Sequence, residues 1–224
     1  MLKPKKKVRK KDLKEDRFVK ATLQTKTFLE ENYKQVVIAA IVILALFIVF
    51  ILYHYVNSQK NREAIGLLGI AEIEFANQNY QQSINRLKTL NQDYGNTDAA
   101  IQGRFLLANI YFQQKKYDQA AVLFEEFIDS NSGNNILLSS AMAGLAACYE
   151  VNNNFDEAAA LYQDAAKVAD AYTEGDTYTY LAGICYKKSG KIEEAKKLFN
   201  QISNTSKNSK QVQDAKIQLI LLGK

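Results

Sequence analysis

The chain has 224 residues and a formal net charge of +5, with one proline, ten glycines, two cysteines, two methionines and no tryptophan. That length holds one sizeable domain or two small ones, and so little proline and glycine excludes a collagen-like, disulfide-framed or turn-rich β-sandwich protein in favour of a helical one. The charge is uneven: residues 1–35 hold 12 Lys and Arg against 5 Asp and Glu, the remainder 17 against 19, so the basic character belongs to a tail, and no nucleic-acid partner is expected of the rest.

The tail, residues 1–35, carries Lys3, Lys5, Lys6, Lys7, Arg9, Lys10, Lys11, Lys14, Arg17, Lys20, Lys26 and Lys34. Phe18, Val19, Leu23, Phe28 and Leu29 recur at roughly helical spacing, which fits either a short amphipathic helix lying on a membrane surface or a solvated tail with occasional apolar residues. Residues 36–55 read VVIAAIVILALFIVFILYHY, with 18 uninterrupted apolar residues up to Tyr53 and no charge. At 1.5 Å per residue such a helix matches a hydrocarbon core of about 30 Å, so a transmembrane helix in the lipid bilayer is predicted. The run is too long for a cleaved leader, and no small-x-small cleavage pattern follows it. Basic residues before the span outnumber Lys60 and Arg62 just after it, which predicts a cytoplasmic N-terminus and an exported domain at residues 57–224, with Tyr33, Tyr53 and Tyr55 at the interfaces.

The exported region repeats. Leu107, Ala108 and Tyr111 followed by Tyr117, Asp118, Ala120 and Phe124 align with Leu145, Ala146 and Tyr149 followed by Phe155, Asp156, Ala158 and Tyr162. They align again with Ala182, Gly183 and Tyr186 followed by Ile192, Glu193, Ala195 and Phe199. The intervals are 38 and 37 residues, and a weaker copy lies 37 residues upstream at Tyr80, Ser83 and Leu87. This pattern resembles the tetratricopeptide repeat, a helix–turn–helix unit of 34 residues. The small residues Ala108, Ala146, Gly183, Ala120, Ala158 and Ala195 allow close helix approach, and aromatics fill the spaces between. The family's tryptophan and closing proline are absent, and the longer period implies longer turns around residues 130–135 and 171–176. Residues 208–222 place Val212, Ala215, Leu219 and Leu222 at helical spacing, as a helix capping the solenoid would; a frayed tail is the alternative. The expected fold is all-α: one transmembrane helix, then a solenoid of about four helix pairs and a capping helix.

Chemistry-bearing clusters are missing from the sequence. The single histidine, His54, has no neighbouring carboxylate or cysteine, and no phosphate loop, metal-ligand spacing or nucleophile motif occurs, so no enzyme activity, metal or cofactor is expected. Cys148 and Cys185 hold equivalent positions in adjacent repeats, about a helix diameter apart, which predicts two buried free thiols rather than a bridge. The acidic pairs Asp156-Glu157 and Glu193-Glu194 suit the starts of second helices. The first helices of the pairs line the concave face of such a solenoid, and helical spacing places Phe75, Phe105, Asn109, Phe112, Tyr180 and Ile184 there as a protein-binding groove, with Lys187 and Lys188 at its rim. An aromatic groove of this kind suits an apolar or helical protein segment, whereas a carboxylate clamp needs Lys or Arg beside Asn109.

The order of parts, with residues 27–33 (TFLEENY) leading straight into the span, resembles the YfgM-type ancillary subunits of the bacterial Sec translocon. That resemblance implies a non-enzymatic, single-pass inner-membrane protein beside the SecYEG channel. It also implies work with a membrane-anchored periplasmic peptidyl-prolyl isomerase-like chaperone, and contact with translocating polypeptides. A membrane-anchored scaffold for another envelope machine, in division, secretion or outer-membrane assembly, is the alternative.

Overall fold

The computed structural model describes residues 10–130, 133–169, 174–207 and 209–223, and of residues 10–19 and Thr27 the backbone only. The described residues form ten helices and no strand, and the chain divides into two units, one up to Ser58 and one from Gln59.

In the first unit, α1 (Lys10–Glu31) is followed after Asn32 by α2 (Tyr33–Ala76), which carries the apolar run. This helix is long and apolar enough to cross a membrane, and no part of its most apolar stretch is buried by the protein. The run of Ile, Val, Leu, Phe and Ala has no polar stripe, so this helix is apolar on every side. Leu23, Phe28 and Leu29 of the expected amphipathic stretch are exposed. The side chains of Phe18 and Val19, and residues Lys3, Lys5, Lys6, Lys7 and Arg9, lie outside the described residues.

The second unit is the repeat solenoid. The last turns of α2 pair with α3 (Tyr80–Tyr94), then α4 (Asp98–Gln113) with α5 (Tyr117–Asp129), α6 (Asn135–Val151) with α7 (Phe155–Val168) and α8 (Gly175–Lys188) with α9 (Ile192–Thr205). The final helix, α10 (Ser209–Leu222), is the expected cap: Ala215 is buried and Leu219 and Leu222 pack on Phe199 and Ile202. Residue 208, the predicted start of that helix, lies outside the described residues.

Within each pair the turn takes one form. Gln78, Lys115, Asn153 and Gly190 adopt positive φ of 62°, 61°, 62° and 81°, and the repeat places all four at the same position. The next amide always reaches five residues back: Asn79 to the Glu74 carbonyl at 2.8 Å, and Lys116 to Tyr111, Asn154 to Tyr149 and Lys191 to Tyr186 at 2.9 Å. The positive-φ residue itself donates three residues back, as Lys115 does to Phe112 at 2.9 Å. These are Schellman closures, which satisfy the last carbonyls of the first helix and turn the chain back as the second. None of the four following helices has a side-chain cap. Between pairs, side chains cap α4 and α6 but not α8: the Thr97 hydroxyl accepts from the Ala100 amide at 3.2 Å, and Asn134 Oδ1 accepts from Ile136 and Leu137.

The small positions sit where the helices touch. Ala108, Ala146, Ala120, Ala158 and Ala195 are fully buried. At Gly183 a Cβ would meet the Phe199 ring at 2.7 Å, so that contact admits no side chain. The weak first copy has a physical account: the buried Ser83 hydroxyl, at the alanine position, donates to the Ala71 carbonyl at 2.8 Å, which removes the penalty of burying it. The long period is not made only by long turns. The α3–α4 connection is three residues, 95–97, as short as the turns within pairs, and α3 and α4 are 15 and 16 residues long. The α5–α6 and α7–α8 connections are longer, and residues 131–132 and 170–173 in them lie outside the described residues.

Candidate protein-binding site

The six groove residues predicted from spacing are all half-buried, and their side chains are engaged inside the protein. Phe75 meets Tyr80 edge-on at 5.8 Å, Phe112 meets Tyr117 at 5.3 Å, and Phe105 packs on Phe124 and Phe127 at 6.0 and 5.4 Å. The Asn109 amide donates to the Phe105 carbonyl of its own helix at 2.9 Å. Tyr180 lies 5.6 Å from Phe199 and its hydroxyl accepts from Gln218 of α10, while Ile184 joins the same C-terminal cluster. Gln218 also accepts from Lys187 at 2.9 Å, and Lys188 is held by Glu150 at 2.7 Å. The set therefore falls into two groups: Phe75, Phe105 and Phe112 brace the first core cluster, and Tyr180 and Ile184 brace the last beneath the cap.

A second surface, which spacing alone did not reveal, lies on another face of α4. Arg104, Leu107 and Tyr111 floor a cleft of about 630 Å³ whose walls are Lys88, Asn91 and Gln92 of α3 and Gln119, Val122, Leu123 and Glu126 of α5. Arg104 is fixed across it: its guanidinium donates to the Gly95 carbonyl at 2.6 Å and to the Ser130 hydroxyl at 3.2 Å, with the Glu126 carboxylate 3.8 Å away. Asn91 Oδ1 is buried with no hydrogen-bond partner among the described residues. The lining mixes Leu107, Tyr111, Val122 and Leu123 with charged and amide side chains, the composition of a site that takes a segment with an anchoring side chain.

The two cysteines are buried and free. Burial pushes the Cys148 thiol up to about 11 and the Cys185 thiol up to about 12, so both stay protonated and unreactive near neutrality. The nearby Glu150 carboxylate accepts from Lys188 and, at 3.4 Å, from the Tyr162 hydroxyl, whose own pKa is raised chiefly by burial. Asp156, in the first turn of α7, is held below its usual range by hydrogen bonds from Lys191 and then Ser189. These groups tie neighbouring helices together and stand at no cleft.

The family model described as a tetratricopeptide repeat-like domain matches residues 26–221, from the end of α1 to the end of α10. The chain belongs to the tetratricopeptide repeat-like family. Solved structures agree with this fold. A kinesin light chain with nearly identical TPR-like repeats from Podosopora anserina superposes with a TM-score of 0.55 at 14% identity, covering 70% of this chain and 83% of that one. BtubC from P. vanneervenii gives 0.55 at 13% identity, over 75% and 80%. The pilF protein of Pseudomonas aeruginosa gives 0.53 at 17%, over 69% and 66%. Identities this low show the shared tetratricopeptide architecture and nothing of partners. No curated protein matches the chain in sequence. A tetratricopeptide solenoid is a protein–protein interaction fold, suited to taking a partner segment on an extended helical surface.

Proposed function

We propose that this protein is a non-enzymatic, membrane-anchored interaction subunit whose exported repeat domain binds protein partners beside the Sec translocon. One observation carries the anchored reading. The family match begins at residue 26 and runs through the apolar helix into the repeats, so helix and solenoid belong to one family pattern rather than to a chance fusion. Resemblance to the YfgM-type subunits supplies the finer content: SecYEG as the neighbour in the bacterial inner membrane, a membrane-anchored periplasmic isomerase-like chaperone as co-worker, and emerging chains as clients. The excess of basic residues before the span supports a cytoplasmic N-terminus and a periplasmic solenoid.

Two measurements test this. Protease added to the outer face of opened cells is expected to digest the chain beyond Asn57, and a protected repeat domain would overturn the orientation. Purification in mild detergent from native membranes is expected to bring SecYEG with the chain. Recovery of a different envelope machine without the channel would replace the Sec reading by the general scaffold.

A further inference from the structure

In two of the three intervals between successive second helices, the tyrosine of the first helix lying between them bonds to a side chain of the earlier second helix. In the interval of α5 and α7, the Tyr149 hydroxyl donates to Glu125 at 3.1 Å. In the interval of α7 and α9, the Tyr186 hydroxyl accepts from Gln163 at 2.8 Å. The repeat register puts Glu125 and Gln163 at one position, and the residue at that position in the first interval is Lys88, facing the cleft beside Tyr111. Here the bridge is missing. Tyr111 is 8% exposed and lines the cleft, and neither its hydroxyl nor the Lys88 ammonium makes a hydrogen bond or ion pair among the described residues. Lys116 sits over the Tyr111 ring, 5.4 Å from its centre, and leaves the hydroxyl unengaged.

We infer that the α3/α4/α5 cleft binds an acidic, apolar segment of a partner protein, with a carboxylate held by Lys88 and Tyr111. The charges around the cleft select this occupant. Lys88 and Arg104 face a single carboxylate, Glu126, in the lining, that carboxylate lies 3.8 Å from Arg104, and no acidic residue stands three or four positions from Lys88 on α3, so the cleft carries an excess positive charge at Lys88. A carboxylate accepts from both an ammonium and a phenol, which a lysine or an amide nitrogen of a partner cannot do. The half-buried Leu123 and the exposed Val122 offer apolar area to a neighbouring aliphatic side chain. Acidic residues interleaved with aliphatic ones supply both.

This inference rests on the solenoid being a protein-binding module, and the experiment separates it from the Sec reading. The full chain, held in lipid nanodiscs, is titrated into a fluorescein-labelled peptide of sequence Gly-Leu-Asp-Val-Asp-Leu-Gly, and anisotropy is read. Parallel titrations use peptides with Asn or Lys in place of Asp. The aspartate peptide is expected to bind at least fivefold more tightly than the asparagine peptide, and the lysine peptide not at all. Lys88→Gln should weaken the aspartate peptide at least fivefold. Lys88→Glu, which recreates at Tyr111 the bridge seen between Tyr149 and Glu125, should abolish its binding while circular dichroism stays unchanged. Lys197→Gln, at an exposed position of α9, should change nothing. Equal binding of all three peptides, no binding of any, indifference to Lys88→Glu, or sensitivity to Phe112→Ala instead would overturn the assignment. Loss of peptide binding with SecYEG copurification intact sinks the cleft alone; the converse sinks the Sec reading alone.

Discussion

On one face of α4, Phe105 rests on Phe124 and Phe127 and Asn109 turns to the Phe105 carbonyl; on another, Tyr111 and Leu107 look into an open cleft beside an uncompensated Lys88. Both faces mix aromatic and polar residues, so composition alone does not tell them apart. What separates them is whether each group has already found a partner. The first face has spent its rings on the neighbouring helix, and the second retains two donors, the Tyr111 hydroxyl and the Lys88 ammonium, with no partner among the described residues. The first face therefore serves stability through its rings, while on the second the Tyr111 and Leu107 side chains are core and only the Tyr111 hydroxyl and the Lys88 ammonium are left for the partner proposed above.

The largest expected effect follows from that division. Phe105→Ala should destabilise the fold by about 2–4 kcal/mol, somewhat below a fully buried phenylalanine because the ring is only half-buried, whereas Tyr111→Phe should stay within about 0.5 kcal/mol because its hydroxyl bonds nothing. Urea unfolding followed by circular dichroism measures both. Equal losses at the two positions would mean that the faces do not divide in this way.

Next in size are the close helix contacts. Gly183→Ala should lose about 1–3 kcal/mol, because its Cβ would strike Phe199, which is fully buried and has nowhere to retreat. Ala158→Leu should lose a similar amount, again about 1–3 kcal/mol, at the equivalent second-helix contact. A variant at either site that melts with the parent chain would show that the observed register is not the one the protein uses.

These small positions are also where the sequence was most legible. A close contact imposes a size limit at one place in every repeat, and a size limit survives as a letter: Ala120, Ala158 and Ala195 mark it, and Ser83 departs from it only because the Ala71 carbonyl takes its hydroxyl. The apolar helix and the cap were legible for a related reason, since an apolar helix leaves a run in the sequence and a helix buried on one face leaves a stripe. The cleft was not, because Lys88 has meaning only against Glu125 and Gln163 in register and against Tyr149 and Tyr186 across it. Comparing those columns would have exposed it. The groove residues were placed on the right helices, but spacing reports which residues share a face and not how far the neighbouring helix reaches over them.

The buried thiols give a pH dependence that contrasts α6 and α8 with the open interval. The folded protein keeps Cys148 and Cys185 protonated to about 11 and about 12, while the unfolded chain ionises near the ordinary thiol value, about 8.5. The native state thus binds more protons between those limits, so the stability these groups confer is complete below about pH 8.5 and is lost as pH rises through the folded values. The slope of unfolding free energy against pH over that window should be negative, and it should flatten in Cys185→Ala. In the native chain at pH 8 a thiol reagent should find neither group, and after denaturation without reductant it should find two. An intramolecular bridge would leave none.

The smallest effect concerns the four turns that make the pairs alike. Three of them place a residue with a Cβ in the left-handed region, Gln78, Lys115 and Asn153, and only the fourth uses glycine, Gly190. An L side chain there costs about 1–2 kcal/mol, with asparagine tolerated best, and glycine removes that strain while adding back unfolded-state entropy. The Lys115 side chain is exposed, so its replacement loses little packing. Lys115→Gly should raise stability by about 0.5–1 kcal/mol, the balance of relief and entropy. Gly190→Ala should lower it by a similar amount, because φ of 81° is open to glycine and strained for alanine. Both substitutions stand at one position of the repeat and differ only in direction, so their effects should be opposite in sign. Effects of the same sign would mean that the turn after α4 and the turn after α8 do not share the backbone conformation on which the equivalence of the pairs rests.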